Sequence, residues 1–248
     1  MRAIILAAGR GGRLEANGLT VPKCLLELGG VTLLERHLRN LAALGVADVR
    51  VCVGYRSDMI AAALARSPCG GDVSTTTNPD YLEGSIVSLW TMREGLSDGA
   101  DVLLMDADVL YAPRILERLA GSRHASCLLV DRDFTPGEEP VKVCLDRGHV
   151  VELRKQIAAD LRYDACGESV GFFKLDAAQA HALAARAEAY VAMGRRAEPH
   201  EEALRDVILA DPDAYGIEDV TGLPWIEIDF PDDVARARDT ILPRLDER

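Results

Sequence analysis

Apolar and polar positions change their spacing repeatedly along the first half of the chain. Short runs rich in apolar and β-branched residues, typical of strands buried on both faces, lie at 3–7, 49–53, 73–77, 102–105 and 126–130. Between them, apolar residues recur at the spacing of helices with one buried face at 33–44, 58–64, 87–96 and 112–119. Strands that alternate with helices predict a parallel sheet covered on both faces.

The second half of the chain is less regular. Two runs at 140–145 and 150–154 predict a hairpin around the turn residues 146–148. Further strands are predicted at 169–174 and 225–228, and helices at 177–193 and 201–209. The first of these helices follows Asp176, a good N-cap residue, and a last helix is predicted from about 232, after Pro231.

Neither a composition break nor a Pro- or Ser-rich linker divides the sequence. We therefore expect a single domain over 1–248, of the α/β class. The predicted architecture is a three-layer α/β/α sandwich with a mixed, mostly parallel central sheet.

Composition and charge limit the kinds of partner that the protein is expected to bind. The net charge of −12 argues against nucleic acid as a partner, because binding a polyanion needs a basic surface. Six scattered cysteines show no zinc spacing and predict reduced, mostly buried thiols. The first apolar run stops at Gly9, and no run approaches the ~20 residues that cross a bilayer. We expect a cytoplasmic protein without a membrane partner, and the oligomeric state stays open, a homodimer included.

A glycine-rich loop follows the first predicted strand, in the sequence LAAGRGGRL over 6–14, and Pro-Lys follows at 22–23. Glycines let backbone N–H groups approach a phosphate chain closely, and Arg13 and Lys23 add cations there. The spacing is neither the Walker pattern nor the dinucleotide fingerprint. A flexible surface turn remains the alternative interpretation.

Two acidic segments end apolar runs. Asp106 and Asp108 follow the run 102–105, at the edge of a parallel sheet where α/β folds bind ligands. Near a phosphate, such carboxylates favour Mg²⁺, whereas the alternative is an exposed acidic turn. In the late run, alternation places Glu227 and Asp229 on one strand face, which by itself fits a site or a solvated face equally well.

Together, the glycine loop, Pro-Lys and the following LLELGG resemble the signature of the sugar-phosphate nucleotidyltransferase superfamily, with Gly12 where many members carry Ser or Thr. The resemblance implies a Rossmann-like fold with nucleotide-binding residues in 1–130, and the acceptor site and a late metal ligand in 131–248. It implies Mg²⁺ on Asp108 and Asp229, with Glu227 as a further ligand. The residues that the resemblance implies for nucleotide binding are Leu6, Ala7, Ala8, Gly9, Gly11, Gly12, Arg13, Lys23, Gly54, Tyr55, Ser88 and Asp106.

The whole chain resembles the bacterial phosphocholine and phosphonate cytidylyltransferase branch, through segments such as 53–55, 78–81, 141–143 and 167–171. The resemblance implies CMP transfer from CTP to a phosphorylated alcohol or a phosphonate. Arg13, Lys23 and Lys155 are expected to act on the phosphates, and Lys142, Lys155, Glu168 and Glu201 on the acceptor. The two lysines could also be plain solvated side chains. The five histidines are interpreted as surface or core residues.

Three other functions remain open. The nearest is another nucleotidyltransferase that uses UTP, dTTP or GTP on a sugar 1-phosphate. A glycosyltransferase would use the Asp-x-Asp segment to hold a nucleotide-sugar, but it has no need of the cations at Arg13 and Lys23. A catalytically silent nucleotide-binding regulator is expected to lack one of the acidic sites or Lys23, and the sequence has all of them.

Overall fold

A nine-stranded mixed sheet forms the centre of the molecule in the computed structural model, which describes residues 1–18, 20–69 and 73–245. Its main path runs β10-β9-β11-β6-β1-β4-β5, while β8 joins β11 to β12. The strands are β1 (Arg2–Ala7), β2 (Glu27–Leu28), β3 (Val31–Thr32), β4 (Asp48–Val53), β5 (Val73–Thr77), β6 (Val102–Asp106), β7 (Val109–Tyr111), β8 (Ser126–Asp131), β9 (Lys142–Asp146), β10 (His149–Arg154), β11 (Ala165–Leu175), β12 (Tyr215–Asp219) and β13 (Trp225–Glu227).

The central sheet has a parallel part and a part in which most strands pair antiparallel. Strands β6, β1, β4 and β5 pair in parallel, as the alternating pattern of the first half predicts. Strand β11 pairs antiparallel with β6, β8 and β9, and β12 returns parallel to β8. Two short pairs, β2–β3 and β7–β13, lie outside this sheet. The prediction of a single α/β domain with a mixed sheet is confirmed.

Helices cover both faces of the sheet. They are α1 (Gly12–Glu15), α2 (Leu33–Ala43), α3 (Ser57–Arg66), α4 (Ser85–Thr91), α5 (Arg93–Ser97), α6 (Pro113–Ala120), α7 (Ala177–Ala192), α8 (His200–Ala210) and α9 (Pro231–Arg236). Ile4 packs with the apolar residues of α4, α5, α7 and α8, whereas its neighbour Ile5 packs with those of α2, α3 and α6. Because successive strand residues face opposite sides, a continuous apolar strand serves two cores. None of the described helices is long and apolar enough to span a bilayer.

Local chemistry explains where most elements begin and end. The Asp176 carboxylate accepts a hydrogen bond from the Gln179 N–H at 2.8 Å, which confirms the N-cap of α7. The β9–β10 hairpin turns at Arg147 and Gly148, which both have positive φ, as a tight twisted hairpin requires.

The helix predicted over 87–96 is wrong in one respect, because the chain forms two short helices there. Thr91 Oγ1 donates to the Val87 carbonyl at 2.7 Å, a local bond that competes with the helical ladder and bends helices. Met92 leaves helical geometry, and α5 starts after it. The break points α4 toward the edge where β1 and β6 end.

The loop before α8 lies directly against the loop before α4. Gly84 N–H donates to the Arg196 carbonyl at 2.8 Å, and Ile86 N–H donates to the Glu198 carbonyl at 3.1 Å. A Cβ atom at Gly84 would stand only 2.2 Å from the Glu198 carbonyl oxygen. Position 84 therefore requires glycine. Because glycine has no side chain, the start of α8 can approach the sheet edge.

Gly84→Ala is expected to force these two loops apart. Overpacking of this kind costs about 2 kcal/mol of unfolding free energy, and it displaces the N-terminus of α8. Urea unfolding measures the loss. Gly137→Ala serves as the control, because its Cβ would meet only the Pro140 ring at an ordinary 3.7 Å. Equal stability of both variants would contradict the expected contact.

Candidate active site

A cleft of about 280 Å³ opens at the edge where β1 and β6 end. Leu6 of β1 lies in register with Asp106 of β6, so the glycine loop and the acidic segment leave the sheet side by side. Parallel strands place their carboxyl ends at one edge, where open α/β folds bind ligands. The cleft is lined by these predicted site residues: Leu6, Ala7, Ala8, Gly9, Gly11, Lys23, Ser88, Asp106, Asp108, Lys155, Glu201 and Glu227.

The glycine loop wraps the Lys23 side chain. Gly11 has a φ of 65°, which favours glycine, and its Cβ would stand 2.9 Å from Lys23 Cγ. The next two residues, Gly12 and Arg13, line a smaller cavity that continues from the cleft toward Asp229. The loop therefore presents its backbone and two cations to the same space.

Gly54 and Tyr55 lie behind the loop and do not line the cleft. Tyr55 N–H donates to the Ala8 carbonyl at 3.0 Å, which ties the end of β4 to the loop. A Cβ at Gly54 would stand 2.5 Å from Tyr81 Cβ and 2.8 Å from the Ala8 oxygen. Both residues support the position of the loop, and direct nucleotide contact by them stays a prediction.

Three carboxylates converge below the loop. Oxygens of Asp108, Glu227 and Asp229 lie within 4.8 Å of one another. The antiparallel pairing of β13 with β7 brings Glu227 opposite Val109, and Ile228 N–H donates to the Asp108 carbonyl at 3.0 Å. Two acidic segments more than a hundred residues apart in sequence are thus joined by a short ladder.

Lys23 lies between two of these carboxylates. Its Nζ is 2.9 Å from Asp108 Oδ2 and 2.5 Å from Asp229 Oδ1. Burial by itself would lower the pKa of Lys23, but Asp108 and Asp229 outweigh it and raise that pKa. Burial by itself would raise the pKa of Asp229, but the Lys23 ammonium holds that pKa below its ordinary value.

The pKa of Glu227 shifts in the opposite direction to that of Asp229. Burial of the carboxylate in the wall of the cleft, together with Asp108 and Asp229, raises its pKa well above the ordinary value, although part of the side chain faces solvent. Carboxylates this close cannot all ionise at low cost unless a cation joins them. The Lys23 ammonium occupies the position of such a cation for two of the three.

The three carboxylates fit a divalent cation of the magnesium type. Carboxylate oxygen is the ligand that Mg²⁺ prefers, usually from one or two carboxylates together with phosphate oxygens. The shared negative charge and the raised pKa of Glu227 indicate that the cluster lacks positive charge. Asp108, Glu227 and Asp229 are therefore the residues that would hold the metal.

A carboxylate that the motif analysis missed links the two outer cations. Glu139 lies 3.0 Å from the Arg13 guanidinium and 3.1 Å from Lys155 Nζ. Arg13 NH1 is also 3.7 Å from Asp229. All three outer side chains are about half exposed, so these pairs open easily. Glu139 lies in an irregular segment without periodic pattern, which is why no sequence signal pointed to it.

His200 is the second missed residue. It was interpreted as a surface or core residue, but it lines the cleft and is only 4% exposed. Its Nδ1 is 3.1 Å from Ser85 Oγ and 3.1 Å from Glu201 Oε2, and its Nε2 is 3.7 Å from Asp106. Burial, and then the charges of Glu201 and Asp108, raise the pKa of Asp106 well above its ordinary value.

Two predicted acceptor residues lie elsewhere. Lys142 Nζ donates to the carbonyls of Gly137 and Lys155, both at 2.6 Å, and so braces the hairpin. Glu168 lines a second cavity of about 260 Å³, beside Asp131 and on the other side of Glu227. Contact of either residue with an acceptor stays a prediction.

Glu168 gives an expected pH dependence of stability. Burial, and then the charge of Asp131, raise its pKa from 4.5 to about 7, against the weaker effects of Lys142, Arg236 and Lys155. A carboxyl that binds its proton more tightly when folded stabilises fully below pH 4.5, and this contribution is lost as pH rises to 7. Glu168→Gln is expected to stabilise the protein by about 2 kcal/mol at pH 8 and hardly at pH 4. Urea unfolding at both pH values measures this, and an equal effect at both would contradict it.

Comparison with known proteins places this geometry in a family. Residues 3–208 match the family model of the MobA-like NTP transferase domain. The CMP-5'-(3-aminopropyl)phosphonate synthase of Streptomyces rubellomurinus is 30% identical over 96% of this chain and 38% of its own length. A bifunctional IPC transferase and DIPP synthase of Rubrobacter xylanophilus is 30% identical over 97% of this chain and 52% of its own. The chain thus spans about half or less of these two relatives.

Solved structures show the same fold. The inositol-1-phosphate CTP transferase from T. maritima superposes with a TM-score of 0.77 at 22% identity, covering 99% of this chain and 96% of that one. The CTP:phosphocholine cytidylyltransferase from Streptococcus pneumoniae gives 0.71 at 19% identity, covering 96% and 97%. The resemblance inferred from the glycine loop and the acidic segments is confirmed: the chain belongs to the MobA-like NTP transferase family.

Proposed function

We propose that the chain is a Mg²⁺-dependent cytidylyltransferase. It transfers CMP from CTP to a small phosphorylated alcohol or phosphonate and releases pyrophosphate. The Streptomyces relative is named for CMP attachment to a phosphonate, and a Campylobacter jejuni relative, 24% identical over 70% of this chain and 72% of its own length, is named a CTP:phosphoglutamine cytidylyltransferase. These names support CTP as donor and a phosphorylated small molecule as acceptor.

One observation carries the proposal. The glycine loop, Lys23, Asp108 and Glu227 line a single cleft, and Asp229 completes a cluster whose oxygens lie within 4.8 Å of one another. A protein that only binds a nucleotide has no need of three carboxylates beside the phosphate site, since they repel phosphate unless a metal joins them. A reaction at the α-phosphate requires that arrangement, because negative charge builds up there.

The chain's own residues supply positioning and charge. The backbone of 9–12 and the cations of Arg13 and Lys23 would hold the triphosphate. Lys155, on the opposite wall of the cleft, would hold the acceptor phosphate or phosphonate. An acceptor oxygen that is anionic at neutral pH attacks the α-phosphorus in line, so no general base is required. Rate enhancement then comes from alignment and from charge neutralisation.

Mg²⁺ on Asp108, Glu227 and Asp229 would neutralise charge on the α-phosphate and the leaving pyrophosphate. Lys23 already contacts two of these carboxylates. Its position next to the glycine loop lets the same ammonium serve the triphosphate when the carboxylates have another cation.

Pyrophosphate release tests the proposal. Each of the four NTPs is combined with Mg²⁺ and with phosphocholine, aminoethyl- and hydroxyethylphosphonate, phosphorylated polyols and sugar 1-phosphates. Release with CTP and a phosphoalcohol or phosphonate is the expected result. Release only with another NTP and a sugar 1-phosphate would replace the donor and acceptor but keep the metal site. Binding of CTP without any release would instead support a silent regulator.

A further inference from the structure

The inner end of the cleft carries hydrogen-bond acceptors that lack donors. His200 Nε2 and Glu201 Oε2 are buried without a hydrogen-bond partner among the described residues. The Asp106 carboxylate, 20% exposed, accepts no hydrogen bond from the part of the chain that the structure describes, and His200 Nε2 lies 3.7 Å from it, too far for a bond. Buried acceptors without donors are rare in folded proteins and indicate a missing ligand group.

The His200 ring is fixed in place. Its backbone N–H donates to Ser85 Oγ at 2.8 Å, and Nδ1 lies 3.1 Å from the same hydroxyl. The contact of Gly84 with the loop 197–198 holds both chain segments together. The ring therefore cannot turn away from the cleft without breaking these contacts.

The surroundings of Nδ1 decide where the imidazole proton lies. Nδ1 faces two oxygens, Ser85 Oγ and Glu201 Oε2, each at 3.1 Å. The Glu201 carboxylate only accepts, and a bare nitrogen facing it would be repelled. Nε2, on the other side of the ring, is buried without a hydrogen-bond partner among the described residues and lies 3.7 Å from the Asp106 carboxylate. In the tautomer with the proton on Nδ1, Nε2 presents a lone pair to the cleft.

The charges around this end of the cleft also indicate the kind of ligand that fits. The carboxylates of Asp106 and Glu201 both line this end of the cleft, and the nearby Lys23 ammonium is engaged with Asp108 and Asp229. Carboxylates that are largely withdrawn from water are costly unless a cation with N–H donors faces them. A ligand that binds here must therefore bring positive charge and several donors.

We propose that Asp106, His200 and Glu201 bind a protonated primary amine on the acceptor. The inference rests on the proposed function and names its acceptor class, an aminoalkyl phosphonate or phosphate. An ammonium group has three N–H donors, which match the two carboxylates and His200 Nε2. A hydroxyl has a single donor and no charge, and a trimethylammonium group has charge but no donor.

Acceptor selectivity tests the subsite. We compare 2-aminoethylphosphonate, 2-hydroxyethylphosphonate and the trimethylammonium analogue of the first at saturating CTP and Mg²⁺. A site built on hydrogen bonds to the amine should favour it by about a hundredfold in kcat/KM. Glu201→Gln and Asp106→Asn should each reduce this preference at least about tenfold. The loss should come mainly from the amine acceptor's KM, and Glu201→Gln should leave the KM for CTP unchanged.

Glu198→Gln is the matched control, because it removes a carboxylate from the same loop whose ion-pair partner, among the residues described, is Arg195 alone. It should keep the wild-type preference. A wild-type enzyme that uses the hydroxyl or trimethylammonium analogue equally well would overturn the subsite but leave the proposed function intact. Variants that change the choice between CTP and UTP, with acceptor preference unchanged, would place the cluster at the nucleobase and overturn it as well. If no acceptor gave any transfer, both proposals would be overturned.

Discussion

Asp108→Asn is expected to lower turnover at least about a hundredfold, the scale seen when one preorganised charge is removed from a reacting centre. The substitution keeps the size of the side chain and removes one of three carboxylates that lie within 4.8 Å of one another. Lys23 then loses one of its two ion-pair partners. CTP binding without metal should change little, because the glycine loop and Arg13 are untouched. Steady-state kinetics with Mg²⁺, and calorimetric CTP binding in EDTA, measure the two effects.

Asp213→Asn is the control for this prediction, since Asp213 is exposed and, within 1–18, 20–69 and 73–245, pairs with His149 alone. Its turnover should equal that of the wild type. Asp229→Asn should behave as Asp108→Asn does, because both carboxylates contact Lys23. If Asp108→Asn kept a near-normal rate, the carboxylate cluster would not be the metal site.

Lys23→Met should abolish detectable transfer and also destabilise the protein. The Lys23 side chain is 17% exposed and separates two carboxylates that otherwise face each other. Removing one partner of a largely buried ion group costs about 3 kcal/mol, because Asp108 then has no ion-pair partner among the described residues and Asp229 keeps only Arg13 at 3.7 Å. The melting temperature in EDTA should therefore fall by several degrees. Because Mg²⁺ can replace the lost positive charge, it should raise the melting temperature of Lys23→Met more than that of the wild type.

Arg39→Met removes an exposed cation that pairs with Glu35 within helix α2. This control should match the wild type in stability and in its response to Mg²⁺. A Lys23→Met protein as stable in EDTA as the wild type would show that Lys23 does not hold the carboxylates together. Differential scanning calorimetry with and without Mg²⁺ distinguishes these outcomes.

Local pattern was sufficient to predict the nucleotide half of the fold. Runs such as 49–53 are apolar on both faces, and β4 (Asp48–Val53) lies inside the parallel part of the sheet. The glycine loop and the first acidic segment were found because each follows a strand and has an unusual composition for that place, and they meet at one edge because β1 and β6 are parallel. The late acidic segment was assigned through the family resemblance, and the antiparallel pair of β7 and β13 brings it to the site.

The acceptor half was harder to predict, because its contacts are set by distant parts of the chain. His200 reaches the cleft only through the close approach of Gly84 to the loop at 197–198. Glu139 joins Arg13 and Lys155 from an irregular segment. Neither residue has a periodic or motif signal. Lys142 shows the reverse, because a promising lysine turned out to brace backbone carbonyls.

The most direct test of the account follows the α-phosphate. CTP labelled at that position is incubated with the enzyme, Mg²⁺ and 2-aminoethylphosphonate, and the products are separated and identified by mass. The account predicts that the label moves into a CMP–phosphonate conjugate, with one pyrophosphate released for each conjugate formed, and that EDTA stops both. Label that remains in CTP with this acceptor and with every other phosphoalcohol, phosphonate and sugar 1-phosphate, while CTP binds, would contradict it.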